Sequence, residues 1–140
     1  MAWICLNDAF VSVVKDRTDP KGQTLLVRAR RREHLRAFLG RHGKGVTILE
    51  TEAADYRFRA KLPRAKLQAI MASRIDALDY DNFKNSVKDR ELHDMYLTWW
   101  SDHLKMQEKA HPPQRLFPTG RSSLGGYEAW LKNAEKRVIE

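Results

Sequence analysis

Arg28, Arg30, Arg31, Arg32, Arg36, Arg41 and Lys44 occupy one short stretch of chain in which Glu33 is the one acid. A second basic set follows at Arg57, Arg59 and Lys61, each separated from the next by a single residue. Guanidinium groups at this density bind phosphates and carboxylates, and they speed encounters with polyanions. The rest of the charge follows the same bias. Residues 1–62 carry 13 Lys and Arg against 7 Asp and Glu, residues 63–111 balance at 8 and 8, and residues 112–140 carry 5 against 3. The formal total is +8. Three readings stay open on charge alone: a nucleic-acid backbone, an acidic protein surface, or a solvated face that keeps the chain in solution.

Catalytic constellations are thinner. His34, His42, His93, His103 and His111 form no zinc-protease helix motif. Glu91, His93, Asp94, Asp102 and His103 are the densest group of ligand-type side chains. On one helix, His93 and His103 lie roughly 1000° apart and face different ways, which favours plain surface residues. Glu50, Glu52, Asp55 and Lys61 make a loose version of a magnesium-nuclease set and read better as turn acids. Cys5 is the single cysteine, so it builds neither a disulfide framework nor a cysteine-rich zinc site. It is expected in a buried strand with no activating base. Neither a P-loop nor a dinucleotide glycine fingerprint is present. The expectation is therefore no enzyme, no cofactor and no metal.

The chain that must position these groups has 140 residues, 42% of them hydrophobic and 31% charged, the composition of one globular domain. Its apolar runs, such as Phe10 to Val14, fall far short of the ~20 residues of a membrane helix. With no secretory leader visible and one cysteine, a cytoplasmic, reducing setting is expected, with no membrane partner.

Two apolar runs, Trp3 to Leu6 and Phe10 to Val14, flank Asn7-Asp8 and suggest a hairpin. Asp19-Pro20-Lys21-Gly22 is a stronger turn signal, and a third strand follows from Thr24 to Arg30. Arg31 to Leu39 reads as a helix closed by Gly40. Val46 to Glu50 reads as a strand, and Tyr56, Phe58, Ala60 and Leu62 alternate with Arg57, Arg59 and Lys61 in the clearest half-buried strand. Pro63 opens a helix with a stripe at Leu67, Ile70, Met71, Ile75 and Leu78. After Asp79 to Asn82 come one or two aromatic-rich helices carrying Phe83, Val87, Leu92, Met95, Tyr96, Trp99, Trp100 and Leu104. His111-Pro112-Pro113 ends that segment. Residues 111–123 read as a linker and 124–140 as a C-terminal helix with Trp130 on its apolar side.

This order predicts an α+β domain over residues 1–110, with an antiparallel sheet and helices packed on one face. A ferredoxin-like arrangement needs one more strand, which the N-terminal hairpin would supply in permuted order. The open face would carry Arg28 and Arg30 from one strand and Arg57, Arg59 and Lys61 from another. If those strands are neighbours, they make either a binding platform or, with Glu50 and Glu52, a salt-bridged surface. Tyr56 and Phe58 are expected on the core side, away from any base-stacking platform.

The stretches Trp3 to Phe10, Leu26 to Arg30, Ala54 to Ala60 and Tyr80-Asp81-Asn82-Phe83-Lys84 resemble a group of small uncharacterised bacterial and phage proteins. The resemblance covers roughly residues 3–105. It implies a prokaryotic or phage setting and a boundary before Pro112, and it brings no mechanism. Small phage proteins often block host machinery, so an inhibitor or adaptor on a defence complex is the second expectation. The first is a non-enzymatic protein that binds nucleic acid or an acidic partner through Arg28, Arg30, Arg31, Arg32, Arg36, Arg57, Arg59 and Lys61. Trp99, Trp100 and Trp130 are weaker partner-binding candidates, and a homodimer is compatible with this reading.

Overall fold

The structure is a computed structural model that describes residues 1–111. The expected linker and C-terminal helix, Trp130 included, lie outside the described residues apart from His111. Met1–Leu104 forms one compact unit, and a second begins at Lys105.

Strands β1 (Ala2–Cys5) and β2 (Phe10–Lys15) form the hairpin around Asn7-Asp8, with Cys5 opposite Phe10 and Ala2 opposite Val13. Asp19 organises the next turn. Its carboxylate accepts from the Lys21 and Thr24 amides at 3.0 and 2.6 Å, and Gly22 takes the positive φ of +67° that closes the turn. Then come β3 (Thr24–Ala29), α1 (Arg32–Leu39), the short β4 (Leu49–Glu50), β5 (Phe58–Pro63), α2 (Arg64–Asp76), α3 (Phe83–Ser86) and α4 (Arg90–Ala110). Five strands make one sheet in the order β1-β2-β3-β5-β4, with every pairing antiparallel. The fold is α+β. Strand β5 sits between β3 and β4, the ends of a strand-helix-strand unit, and β2 flanks β3 from the N-terminal side.

Alternation along the strands separates two cores. Val11 and Val13 of β2, Val27 and Ala29 of β3 and Ala60 and Leu62 of β5 face α1 and α2, where they meet Leu35, Phe38, Leu39 and Ile70. Phe10 points to the opposite face and joins Tyr56, Val87, Leu92 and Tyr96, with Phe83, Met95 and Trp99 against them. Helices α3 and α4 thus cover the hairpin end of the second face, so helices pack on both faces of the sheet rather than on the one face expected. Asn82 caps α3 through a bond from the Asn85 amide at 3.1 Å, and Asp89 caps α4 through the Leu92 amide at 2.8 Å. Among the described residues no helix is long and apolar enough to cross a membrane.

The Tyr96 hydroxyl lies 3.0 Å from both the Leu6 and Ala9 carbonyl oxygens, so α4 closes the hairpin turn. Burial pushes this phenol well above its ordinary pKa, keeping it a donor. Tyr96→Phe removes the donor to the Leu6 carbonyl, while Ala9 keeps the Leu6 amide at 2.8 Å, and a loss of about 1–2 kcal/mol in urea unfolding is the expected result.

Several local expectations change on folding. Val46 and Ile48 pack against the first core, but pairing is confined to Leu49–Glu50. Tyr56 precedes β5, so it escapes the strand's alternation and enters the second core while Phe58 packs on the first. The α2 stripe stops at Met71: Ile75 in the last turn of α2 and Leu78 beyond its end are both exposed. Cys5 is exposed on the edge strand rather than buried. Partial desolvation still holds its thiol above the ordinary pKa, which disfavours the nucleophilic thiolate.

Candidate polyanion interface

Strands β3 and β5 are neighbours, and their register sets Arg28 opposite Arg59 and Leu26 opposite Lys61. The two arginines share the face opposite α1 and α2. A cross-strand row on that face runs Trp3, Ser12, Arg28, Arg59, Leu49. Like charges directly opposite each other on paired strands are destabilising, so their counter-charges decide what the row can do.

Half of the expected basic set is neutralised within the molecule. Arg57 meets Glu50 at 2.7 Å and Glu52 at 3.3 Å, and Arg32 meets the other oxygen of Glu50 at 2.7 Å. Glu50 is held below the usual carboxylate range by these two hydrogen-bonded guanidinium groups, Arg32 first. Arg31 pairs with Asp89 at 3.0 Å and with Glu91, linking the start of α1 to the start of α4. Lys61 is drawn to Asp16 at 2.8 Å and to the Thr18 hydroxyl at 2.8 Å. Glu50, Glu52 and Lys61 therefore serve other partners and form no magnesium set with Asp55. No group of three or more metal-ligating side chains occurs among the described residues.

The Asp16 carboxylate is buried and also accepts from the Thr18 amide and hydroxyl at 3.0 and 2.9 Å. The Lys61 hydrogen bond, followed by the Thr18 amide, lowers its pKa to about 2. A carboxylate depressed in the folded state adds stability above its unfolded value, and that stability is lost as pH falls through the folded one. The contribution is therefore complete above about pH 4 and fades toward about pH 2. Asp16→Asn should lower the melting temperature at neutral pH and shallow its fall over that acid window, as thermal melts across pH will read.

Arg28, Arg30 and Arg59 are different. Arg28 donates from Nη2 to the Ser12 hydroxyl at 2.9 Å and to the Met1 sulfur at 3.3 Å, and its guanidinium carbon lies 4.6 Å from the Tyr56 ring centre. Arg30 lies 4.9 Å from the same ring centre and donates to the Asp55 carbonyl at 3.2 Å. Arg59 donates from Nε to the Tyr56 carbonyl at 3.1 Å. The Asp55 carboxylate turns to the Tyr56 amide at 2.8 Å instead. Among the described residues no carboxylate pairs with any of the three. Three cations thus converge on the Asp55-Tyr56 segment, held by neutral acceptors and a π face. Arg28 Nε is buried without a hydrogen-bond partner, a cost of roughly 1–3 kcal/mol that the cluster carries.

The remaining candidates disperse. Arg36 lies on α1, lining an open groove of about 390 Å³ with Arg32, Leu39 and Val46, away from the Tyr56 cluster. Trp99 stacks on Trp3 with centroids 5.4 Å apart and planes at 11°, while its edge contacts reach Phe10 and Tyr96. Trp100 remains half exposed with the Lys84 ammonium 4.1 Å from its ring centre. Burial, and then the Arg31 charge, hold the His34 imidazole below its ordinary pKa.

Two residues that sequence reasoning misses belong here. Tyr56 is the hub of the cluster, and Trp3 stands in the same cross-strand row. In the sequence, Tyr56 reads as one more core aromatic of an alternating strand. Trp3 falls in an apolar run without alternation, which leaves its face without a signal. No family model matches this chain, and neither a curated protein nor a solved structure does.

Proposed function

We propose that this protein is a non-enzymatic binding protein that engages the phosphate backbone of a nucleic acid through Arg28, Arg30 and Arg59. What supports this reading is the convergence of three guanidinium groups on one tyrosine without a carboxylate among them. Placing like charges together costs stability, and an incoming anion removes that cost at the moment of binding. Arg31, Arg32, Arg57 and Lys61 support the fold in this reading, each paired with its own carboxylate.

Binding to phosphates releases counterions, so affinity must fall with salt. Titration of a short single-stranded oligonucleotide, followed by anisotropy between about 50 and 200 mM salt, is expected to give a log–log slope of about −2 for three phosphate contacts. A slope near zero overturns the proposal. The inhibitor or adaptor reading, in which the same arginines meet an acidic protein surface, predicts no measurable affinity for the oligonucleotide.

A further inference from the structure

The row that holds Arg28 and Arg59 ends on Trp3, which is 54% exposed although it sits against two other aromatic rings. Trp99 lies parallel behind it, and Phe10 meets it edge-on at 5.8 Å with planes at 78°. The indole is therefore fixed in orientation by its neighbours while much of its surface stays in water. Large exposed aromatics that are also held rigid are suited to binding, because little side-chain entropy is lost when they are covered. Ser12, the residue between Trp3 and Arg28, is fully buried and accepts from Arg28 Nη2, which aims that guanidinium along the row toward β1. Trp3 and Arg28 are two strand spacings apart, about 10 Å. An extended dinucleotide spans such a distance between a phosphate and the next base.

Resting on the phosphate-backbone reading, we infer that the ligand is single-stranded nucleic acid, with phosphates at Arg28, Arg30 and Arg59 and an unpaired base stacked on Trp3. A duplex keeps its bases inside and offers a protruding indole nothing flat to cover. An acidic protein segment offers charge, but carries an aromatic face only where Phe, Tyr or Trp falls beside its carboxylates, whereas a single strand sets a base beside every phosphate. Single strands offer both, and proteins that hold them combine a basic groove with aromatic platforms. The chemistry is tolerant of sequence, since every base has a π face. No base-edge reader is needed.

Affinity for a short oligothymidylate is compared with that for an abasic oligomer of the same length, at one low salt concentration. The intact protein is expected to bind the oligothymidylate about five-fold tighter or more. Trp3→Ala should bring that ratio close to one while leaving the abasic affinity in place, and Trp3→Phe should keep part of the preference. Equal binding of the two oligomers by the intact protein overturns the stacking inference and leaves the phosphate-backbone reading standing. Failure to bind either oligomer overturns both. If Trp3→Ala weakens the two oligomers by the same factor, Trp3 only supports the sheet edge and the inference is wrong.

Discussion

Replacing Arg28, Arg30 and Arg59 together by glutamine is expected to weaken single-strand binding by about two to three orders of magnitude at about 50 mM salt, and to flatten the salt slope by about 2. The size follows from removing three phosphate-binding cations at once, each of which carries its share of counterion release. The fold should tolerate the change. Arg28 and Arg59 oppose each other across the β3–β5 ladder, so removing their charges relieves a repulsion worth roughly 0.2–1 kcal/mol. Losing the Arg28 bond to buried Ser12 and the two cation–π contacts on Tyr56 works against that relief, so a net stability change within about 1 kcal/mol, together with collapsed affinity, is the expected pattern. The matched control is Arg31, Arg32 and Arg57 to glutamine. That variant removes the same formal charge but breaks the pairs with Asp89, Glu91, Glu50 and Glu52, so it should lose stability and keep the salt slope. If both triple variants flatten the slope alike, diffuse charge and not the cluster carries the binding.

Phe38→Ala should produce the largest loss of stability from a single substitution, about 3–5 kcal/mol. Phe38 is 1% exposed and lies where α1 meets the sheet, among Leu35, Leu39 and the apolar residues of β2, β3 and β5. Truncation removes transfer free energy and leaves a cavity that close-packed neighbours fill poorly. Against a total of about 5–15 kcal/mol for a domain, this removes a large share. Ile75→Ala and Leu78→Ala, at the far end of the apolar stripe that α2 begins, should each cost less than about 0.5 kcal/mol, because both side chains are exposed. Urea unfolding of the three variants separates true core from a stripe that only looks like core in the sequence. Comparable losses at all three positions would mean the α2 stripe is covered along its whole length.

The α+β class, the antiparallel sheet, the Asp19–Gly22 turn and the face on which Arg28, Arg59 and Lys61 lie were all legible in the order of residues. Those features follow from interactions a few residues long, namely period-2 alternation, turn chemistry and glycine's access to positive φ. Glu50 and Glu52 could be picked out in the sequence as neutralising acids, but which cations each acid takes became visible only once the chain was folded. Arg31 finds Asp89, Lys61 finds Asp16, and Arg57 finds Glu50 and Glu52, whereas Arg28, Arg30 and Arg59 find Tyr56 and its backbone. Charge attraction acts through space and depends on strand register and helix docking, neither of which is encoded in the spacing of charges along the chain. Trp3 and Tyr56 were hidden for the same reason. Trp3 reads as core until packing leaves it 54% exposed, and Tyr56 is core, but only the fold brings Arg28 and Arg30 onto its ring.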